Sequence, residues 1–278
     1  MRLSMHLALG LFVSLGVVAC GGGDGGPGGG SPSPTPQSLS ITPGTTMLRV
    51  NQLETFGGTL TLSNGQSQQV QPAWQSDNVT VLTFDNGVAR GRSNGNATII
   101  GVHQGLTATR LIRVLTDYQG FWFGDYAVRR CEDSGDWASG DFCDRQNGFY
   151  VGELLQIALD LRQQGDAVTG DVALGALDGT TSGSVGTGGR LAATGSMTID
   201  SEGLPIAFAL NPMDFGGDGD RLTGRFTVTV TAPGMRGRGL FEGELRTVVR
   251  TSADSAGTLR TGARSFATIE QLLGALRR

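Results

Sequence analysis

Three cysteines, two histidines and no lysine bound the chemistry open to this 278-residue chain. Cys131 and Cys143 bracket an acidic stretch, Cys-Glu-Asp-Ser-Gly-Asp-Trp-Ala-Ser-Gly-Asp-Phe-Cys, and such a pair serves as a disulfide, a redox couple or part of a metal site. Glu132, Asp133, Asp136, Asp141 and Asp144 can draw a cation to the same stretch, although solvation of a surface loop accounts for them equally well. A second acidic run, Asp214-Phe-Gly-Gly-Asp-Gly-Asp220, has the alternation of Asp and Gly that ligates calcium. It departs from the Gly-Gly-x-Gly-x-Asp repeat at Arg221 and occurs once, so it reads as a polar hairpin turn. His103 stands in His-Gln-Gly, a hairpin position. No metal site and no cofactor are expected.

The missing residue types exclude more than the present ones suggest. His6 lies in an N-terminal stretch read below as removed, which leaves His103 alone. Without Lys, Schiff-base chemistry and P-loop phosphate binding are unavailable, and one histidine cannot build a multi-histidine metal site. There is no Gly-x-Ser-x-Gly elbow and the one remaining histidine lies in the other segment, so a serine triad is not expected. Only carboxylate-based chemistry of the glycosidase type passes. Every cation is Arg; removing Arg2 leaves 20 against 25 Asp and Glu, a net charge near −5. A mildly acidic chain without a basic block is a poor nucleic-acid binder. No catalytic residue is expected and the chain reads as non-enzymatic.

The N-terminus gives an address. Arg2 precedes an apolar run, Leu7 to Val18, of signal-peptide length and too short to span a bilayer. It ends in Val17-Val18-Ala19-Cys20, which resembles the lipobox of bacterial lipoproteins. The resemblance implies cleavage after Ala19 (signal peptide 1–19) and acylation of Cys20, which becomes a stable anchor once several chains are attached. Gly21 is similar to an outer-membrane sorting signal. The expected location is therefore the bacterial cell envelope, lipid-anchored at the outer membrane, with the membrane as partner through the lipid. Residues 20–37 carry the lipidated Cys and a Gly/Ser/Pro-rich linker. In an exported chain, Cys131 and Cys143 read as a disulfide, stabilising by about 3 kcal/mol through loop entropy.

The elements that must position these residues are all strands. Residues 38–115 hold short β-forming runs separated by Ser63-Asn64-Gly65, Asp85-Asn86-Gly87 and Asn94-Gly95-Asn96 turns, the pattern of a β-sandwich. Leu39-Ser-Ile-Thr-Pro43, Ala73-Trp74-Gln75-Ser76 and Asp85-Asn-Gly-Val-Ala-Arg-Gly91 stand in the order of a bacterial Ig-like domain of group 2. That resemblance implies Trp74 buried between two sheets and leaves the packing around Phe84 irregular. A single such module fits a stalk better than an adhesive array.

Residues 117–278 alternate with period two: Leu155, Ile157, Leu159 and Leu161, then Val168, Val172 and Leu174, then Ile206, Phe208 and Leu210, then Phe226, Val228 and Val230. A last strand over Leu240 to Arg250 places Phe241, Leu245 and Val249 on one side. About eight antiparallel strands without a helical crossover predict a meander that closes into a barrel. Gly120-Phe-Trp122 resembles the opening of the lipocalin and avidin superfamily. So does a helix over Ser265 to Arg278, where Ile269, Leu272, Leu273 and Leu276 form a stripe behind a Thr268–Gln271 capping box. The fold class is all-β, sandwich then barrel with a short C-terminal helix.

The function expected is an envelope lipoprotein whose Ig-like stalk presents a barrel to a protein or polysaccharide partner. The alternative is a carrier of a small apolar ligand, lined by Trp122, Tyr126, Phe208 and Phe226. A carboxylate-based glycan enzyme is the third reading.

Overall fold

A computed structural model describes residues 33–145, 149–175, 177–201 and 203–251. The signal peptide, Cys20, most of the linker and the expected helix at 265–278 lie outside the described residues.

The first ten strands are short. They are β1 (Pro36–Thr42), β2 (Met47–Arg49), β3 (Leu53–Thr55), β4 (Gly57–Leu62), β5 (Ser67–Val70), β6 (Ala73–Ser76), β7 (Leu82–Asp85), β8 (Val88–Gly91), β9 (Gly95–His103) and β10 (Leu106–Leu115). They form three sheets, ordered β1-β4-β5, β2-β10-β9-β6 and β3-β8-β7. Ile41, Leu48, Phe56, Leu82, Ile99, Ile112 and Val114 fill the space between them. This is the sandwich-like arrangement expected. β5 escaped the sequence reading because Ser67-Gln-Gln-Val70 has no apolar alternation, and it pairs with β4 at an edge. Between β3 and β4 the pairing breaks at Phe56, whose buried ring joins the core while its N–H donates to Gly87 O.

Trp74 corrects an expectation. It is half-buried, not enclosed between sheets; its ring stacks on Phe84 with centroids 5.4 Å apart and meets Phe56 at 6.1 Å. β6 sits at the edge of its sheet, where the indole is only partly covered. Phe84, whose strand is irregular in sequence, is the residue that stacks on it.

The second group comprises β11 (Gly120–Asp133), β12 (Leu154–Gln164), β13 (Ala167–Leu174), β14 (Leu177–Val185), β15 (Arg190–Ser201), β16 (Leu204–Asp218), β17 (Arg221–Thr231), β18 (Gly239–Leu245) and β19 (Val248–Thr251). Consecutive strands from β11 to β18 pair antiparallel, and β18 returns to β11. The result is a closed eight-stranded barrel without free edges. A single helical turn, α1 (Asp136–Ser139), interrupts the passage from β11 to β12.

The alternating residues of β12 to β17 all point inward. Val249 does not. The chain leaves regular pairing at Arg246-Thr247 between β18 and β19, and this shifts the pleat by one. Val248 therefore enters the core and Val249 faces out, 41 % exposed.

The two groups touch directly. Arg49 donates from Nη2 to Gln163 O at 2.6 Å, and its Nη1 stands 3.7 Å from the Asp117 carboxylate. Arg113 lies 3.6 Å from Asp166, and the Asn94 side-chain amide donates to Thr187 O at 2.6 Å.

Candidate functional site

The barrel interior is the place where the sequence put a ligand. Trp122 and Tyr126 enter it from β11, Phe208 from β16 and Phe226 from β17, all members of one core. None keeps more than 1 % of its surface, so no water-sized space adjoins these rings. Tyr126 and Phe226 meet edge to face with centroids 5.0 Å apart, and Phe241 of β18 stacks on Tyr126 at 6.2 Å. Gly243 leaves bare backbone for that contact: a Cβ there would stand 2.4 Å from Phe226 and 2.9 Å from Tyr126. All four expected lining residues belong to the barrel core, and of them Tyr126 and Phe226 are in ring contact. Burial holds the Tyr126 hydroxyl far above the ordinary tyrosine pKa.

The end next to α1 is closed by the loop that Cys131 and Cys143 staple. The disulfide is formed, with Cα atoms 5.6 Å apart. Inside the loop Trp137 and Phe142 are fully buried and T-shaped at 5.7 Å. Phe142 meets Phe149 at 5.3 Å, and Phe149 stacks on Phe241 at 4.4 Å. The aromatic column therefore runs from the loop into the barrel centre. Gly239 makes room for it, since a Cβ there would lie 2.6 Å from the Phe142 ring.

Three of the loop's carboxylates, Glu132, Asp133 and Asp136, are engaged within the protein. Asp133 takes the Cys143 N–H at 3.1 Å, and Asp136 takes the Arg236 N–H at 2.7 Å, which holds Asp136 below the usual carboxylate range. Glu132 pairs with Arg130. Sequence reading saw the acids of this loop and missed its rings; the signal was the spacing of Trp137 and Phe142 between two cysteines.

The opposite end, facing the first sheets, is closed by Tyr118. It sits in the connection between β10 and β11 and is fully buried. Its hydroxyl accepts from Leu191 N at 3.2 Å and Gly217 N at 3.1 Å, and shares its proton between Gly189 O (2.7 Å) and Phe215 O (2.9 Å). Burial is the first cause of its raised pKa, opposed by those two N–H donors. Gln163, one of two buried polar side chains among the described residues, accepts from Tyr118 N at 2.8 Å and donates to the carbonyls of Thr116 and Gly165. Nothing in the sequence marked Tyr118, because its partners come from β15 and β16, far along the chain.

Beside this end lies a polar cleft of about 460 Å³ lined by both groups, among them Asn51, Arg92, Asp117, Asp218 and Arg250. Its two arginines are engaged: Arg250 donates to Asp117 at 2.8 Å and lies 4.6 Å over the Trp122 ring, and Arg92 donates to Thr83 Oγ1. Asp214 pairs with Arg190 at 2.7 Å, and the run it opens forms the end of β16 and its turn into β17. Among the described residues no group of three or more His, Cys, Asp or Glu is placed to hold a metal ion. His103 closes β9, in the turn before β10.

The outer wall of the barrel is polar over much of its circumference. Thr180, Ser182 and Ser184 of β14 and Thr194, Ser196 and Thr198 of β15 face out and are exposed. This is the inverse of a membrane barrel, whose lipid-facing wall is apolar and whose lumen is polar. Among the described residues no helix is long and apolar enough to cross a membrane.

No protein-family model matches the chain, and no curated protein matches it. Among solved structures it is similar to domains 5–6 of the S-layer protein SbsC, at 12 % identity and a TM-score of 0.28, over 75 % of this chain and 97 % of that one. At that TM-score the likeness carries no argument.

Proposed function

We propose that this chain is a lipid-anchored envelope protein whose Ig-like stalk holds a sealed barrel, and that it acts by binding through its outer surface. The observation that carries the reading is the packed interior. An aromatic column fills the barrel, Tyr118 closes one end and the stapled loop closes the other. A barrel with no chamber offers recognition only on its outside, which supports presentation over carriage.

The anchor belongs to the same reading. Val17-Val18-Ala19-Cys20 supplies the acylation site, and Gly21 directs the protein to the outer membrane. The Gly- and Pro-rich linker then lifts the stalk off the lipid surface. The missing Lys and the single remaining His support a role without catalysis.

Metabolic labelling with an alkyne-tagged fatty acid tests the anchor. The full chain should carry the tag and partition with outer-membrane fractions, and Cys20→Ser should lose both. Labelling that survives the substitution would overturn the anchor. Fluorescence titration with apolar ligands tests the sealed barrel: saturable quenching of Trp122 in the native protein would overturn it and restore the carrier.

A further inference from the structure

One place on the outer wall gathers guanidinium groups round a single carboxylate. Arg225 of β17 and Glu244 of β18 stand opposite each other and face outward, because Phe226 and Leu245 beside them point in. Arg246, just past β18, lies 3.1 Å from the same carboxylate. Arg129 reaches it from β11, donating through Nε at 2.6 Å. The pairing of β11 with β18 is irregular between Val128 and Arg130, so Arg129 is an extra residue and two exposed arginines follow each other. Bulges re-aim side chains in this way. Arg130 goes to Glu132 and Glu242, which leaves Arg129 for Glu244. Arg190, Asp214, Thr223, Arg225, Glu244 and Arg246 line an open pocket of about 390 Å³ here.

Three guanidiniums against one carboxylate leave a surplus of two positive charges. Arg190 and Asp214 beside them pair with each other at 2.7 Å and cancel. Asp125, whose carbonyl accepts from Arg246 N, has its carboxylate engaged by Thr247 Oγ1 at 3.2 Å. The surplus is local, since the chain as a whole carries −4. Glu244 pins the three together, Oε1 taking Arg225 and Oε2 facing Arg129 and Arg246. Hydrogen bonds from Arg129 and Arg225 hold its carboxyl below the usual glutamate range, so it stays charged. Among the described residues, Nη1 of each of the three arginines has no protein partner.

We infer that this pocket binds a phosphate group, with Arg225 and Arg246 donating to its oxygens and Arg129 holding Glu244 in place. A phosphate monoester carries about −1.5 to −2 at neutral pH, which offsets the surplus; a single carboxylate would leave half of it. The planar fork of a guanidinium matches phosphate oxygens two at a time. The pocket is larger than a phosphate, and Thr223 and the Arg190–Asp214 pair offer polar contacts to the hydroxyls of a sugar that carries it. The inference rests on the reading of a barrel that binds through its outer surface and gives that surface a ligand chemistry.

Calorimetric titration of the full chain in neutral detergent at low ionic strength tests the site with glucose 1-phosphate, inorganic phosphate, acetate and glucose. Glucose 1-phosphate should bind saturably and about tenfold or more tighter than acetate, glucose should be silent, and added salt should weaken the binding. Arg225, 72 % exposed, can be changed without disturbing the core. Arg225→Gln should weaken binding about tenfold, and Arg225→Lys, which keeps the charge and loses the fork, should lose most of it as well. Arg162→Gln, an exposed position of β12 outside the pocket, should change nothing. Sugar phosphate binding tighter than inorganic phosphate supports the site with a phosphorylated sugar as the source; equal affinity supports it with the free ion as the source. Acetate or a polyglutamate peptide binding as tightly as the phosphates would overturn the inference, and so would an equal loss in Arg162→Gln. Silence with both phosphates, while apolar ligands leave Trp122 unquenched, would strike the phosphate site and leave the sealed barrel standing.

Discussion

The indole N–H of Trp122 donates to the carbonyl of Tyr118 at 2.8 Å. This bond turns the connection from β10 into the first barrel strand and draws the Tyr118 hydroxyl under the rim, where four backbone groups hold it. Arg250, stacked on the same indole and paired with Asp117, closes the turn from outside.

Tyr118→Phe should be costly for the loss of one oxygen. It strands the N–H groups of Leu191 and Gly217 in a buried site, and each unsatisfied buried group costs about 1–3 kcal/mol. The loss expected in denaturant unfolding, followed by tryptophan emission, is about 2–4 kcal/mol. A change below half a kilocalorie would show that water replaces the hydroxyl.

The same residue sets an alkaline limit. Tyr118 and Tyr126 are both held above their ordinary value of 10.0 by burial, so each stabilises the fold fully below that pH. Above it the unfolded chain loses protons that the folded chain keeps, and stability falls as pH rises toward the folded values. Spectrophotometric titration should show these two hydroxyls ionising only as the protein unfolds. The acid limb has the opposite sign: hydrogen bonds from Arg129 and Arg225 depress Glu244, whose stabilisation is present above the ordinary glutamate range and is lost as pH falls through its folded value.

Phe226→Ala should convert a filled barrel into a hollow one. Removing a fully buried phenyl ring costs about 3–5 kcal/mol and leaves a cavity between Tyr126, Phe215 and Phe241. Small apolar ligands should raise the melting temperature of this variant and leave the native protein unchanged. Calorimetric titration distinguishes the two.

Opening the staple should loosen one end of the barrel first. Cys131→Ser with Cys143→Ser removes about 3 kcal/mol of loop-closure entropy. Trp137, buried against Phe142 in that loop, should then become accessible to acrylamide while Trp122 stays protected. Equal quenching of both would mean that the barrel itself had opened.

Arg49→Ala should loosen the sandwich on the barrel without unfolding either. It removes the bond to Gln163 O and the charge beside Asp117, contacts of the class worth about 1.5–3 kcal/mol when a charged group is involved. Limited proteolysis around Thr116 to Gln119 should accelerate several-fold, with the circular dichroism unchanged.

Much of this architecture is written in residue order. The period-two alternation of Leu155 to Leu161 and of Phe226 to Val230 decides which face of each strand is apolar, and short polar turns decide that neighbours pair antiparallel. Cys131 and Cys143, twelve positions apart in sequence, are bonded to each other. Such features are local, so the sequence carries them alone. What alternation cannot state is whether the volume it encloses is full, because that depends on rings meeting across strands. Tyr126 of β11 finds Phe226 of β17 and Phe241 of β18 only after closure, and Tyr118 finds Leu191 and Gly217 only once the rim exists. The flip of Val249 has the same origin, a one-residue slip at Arg246-Thr247 that no pattern of hydrophobicity announced. Sequence made the barrel; only the tertiary packing sealed it.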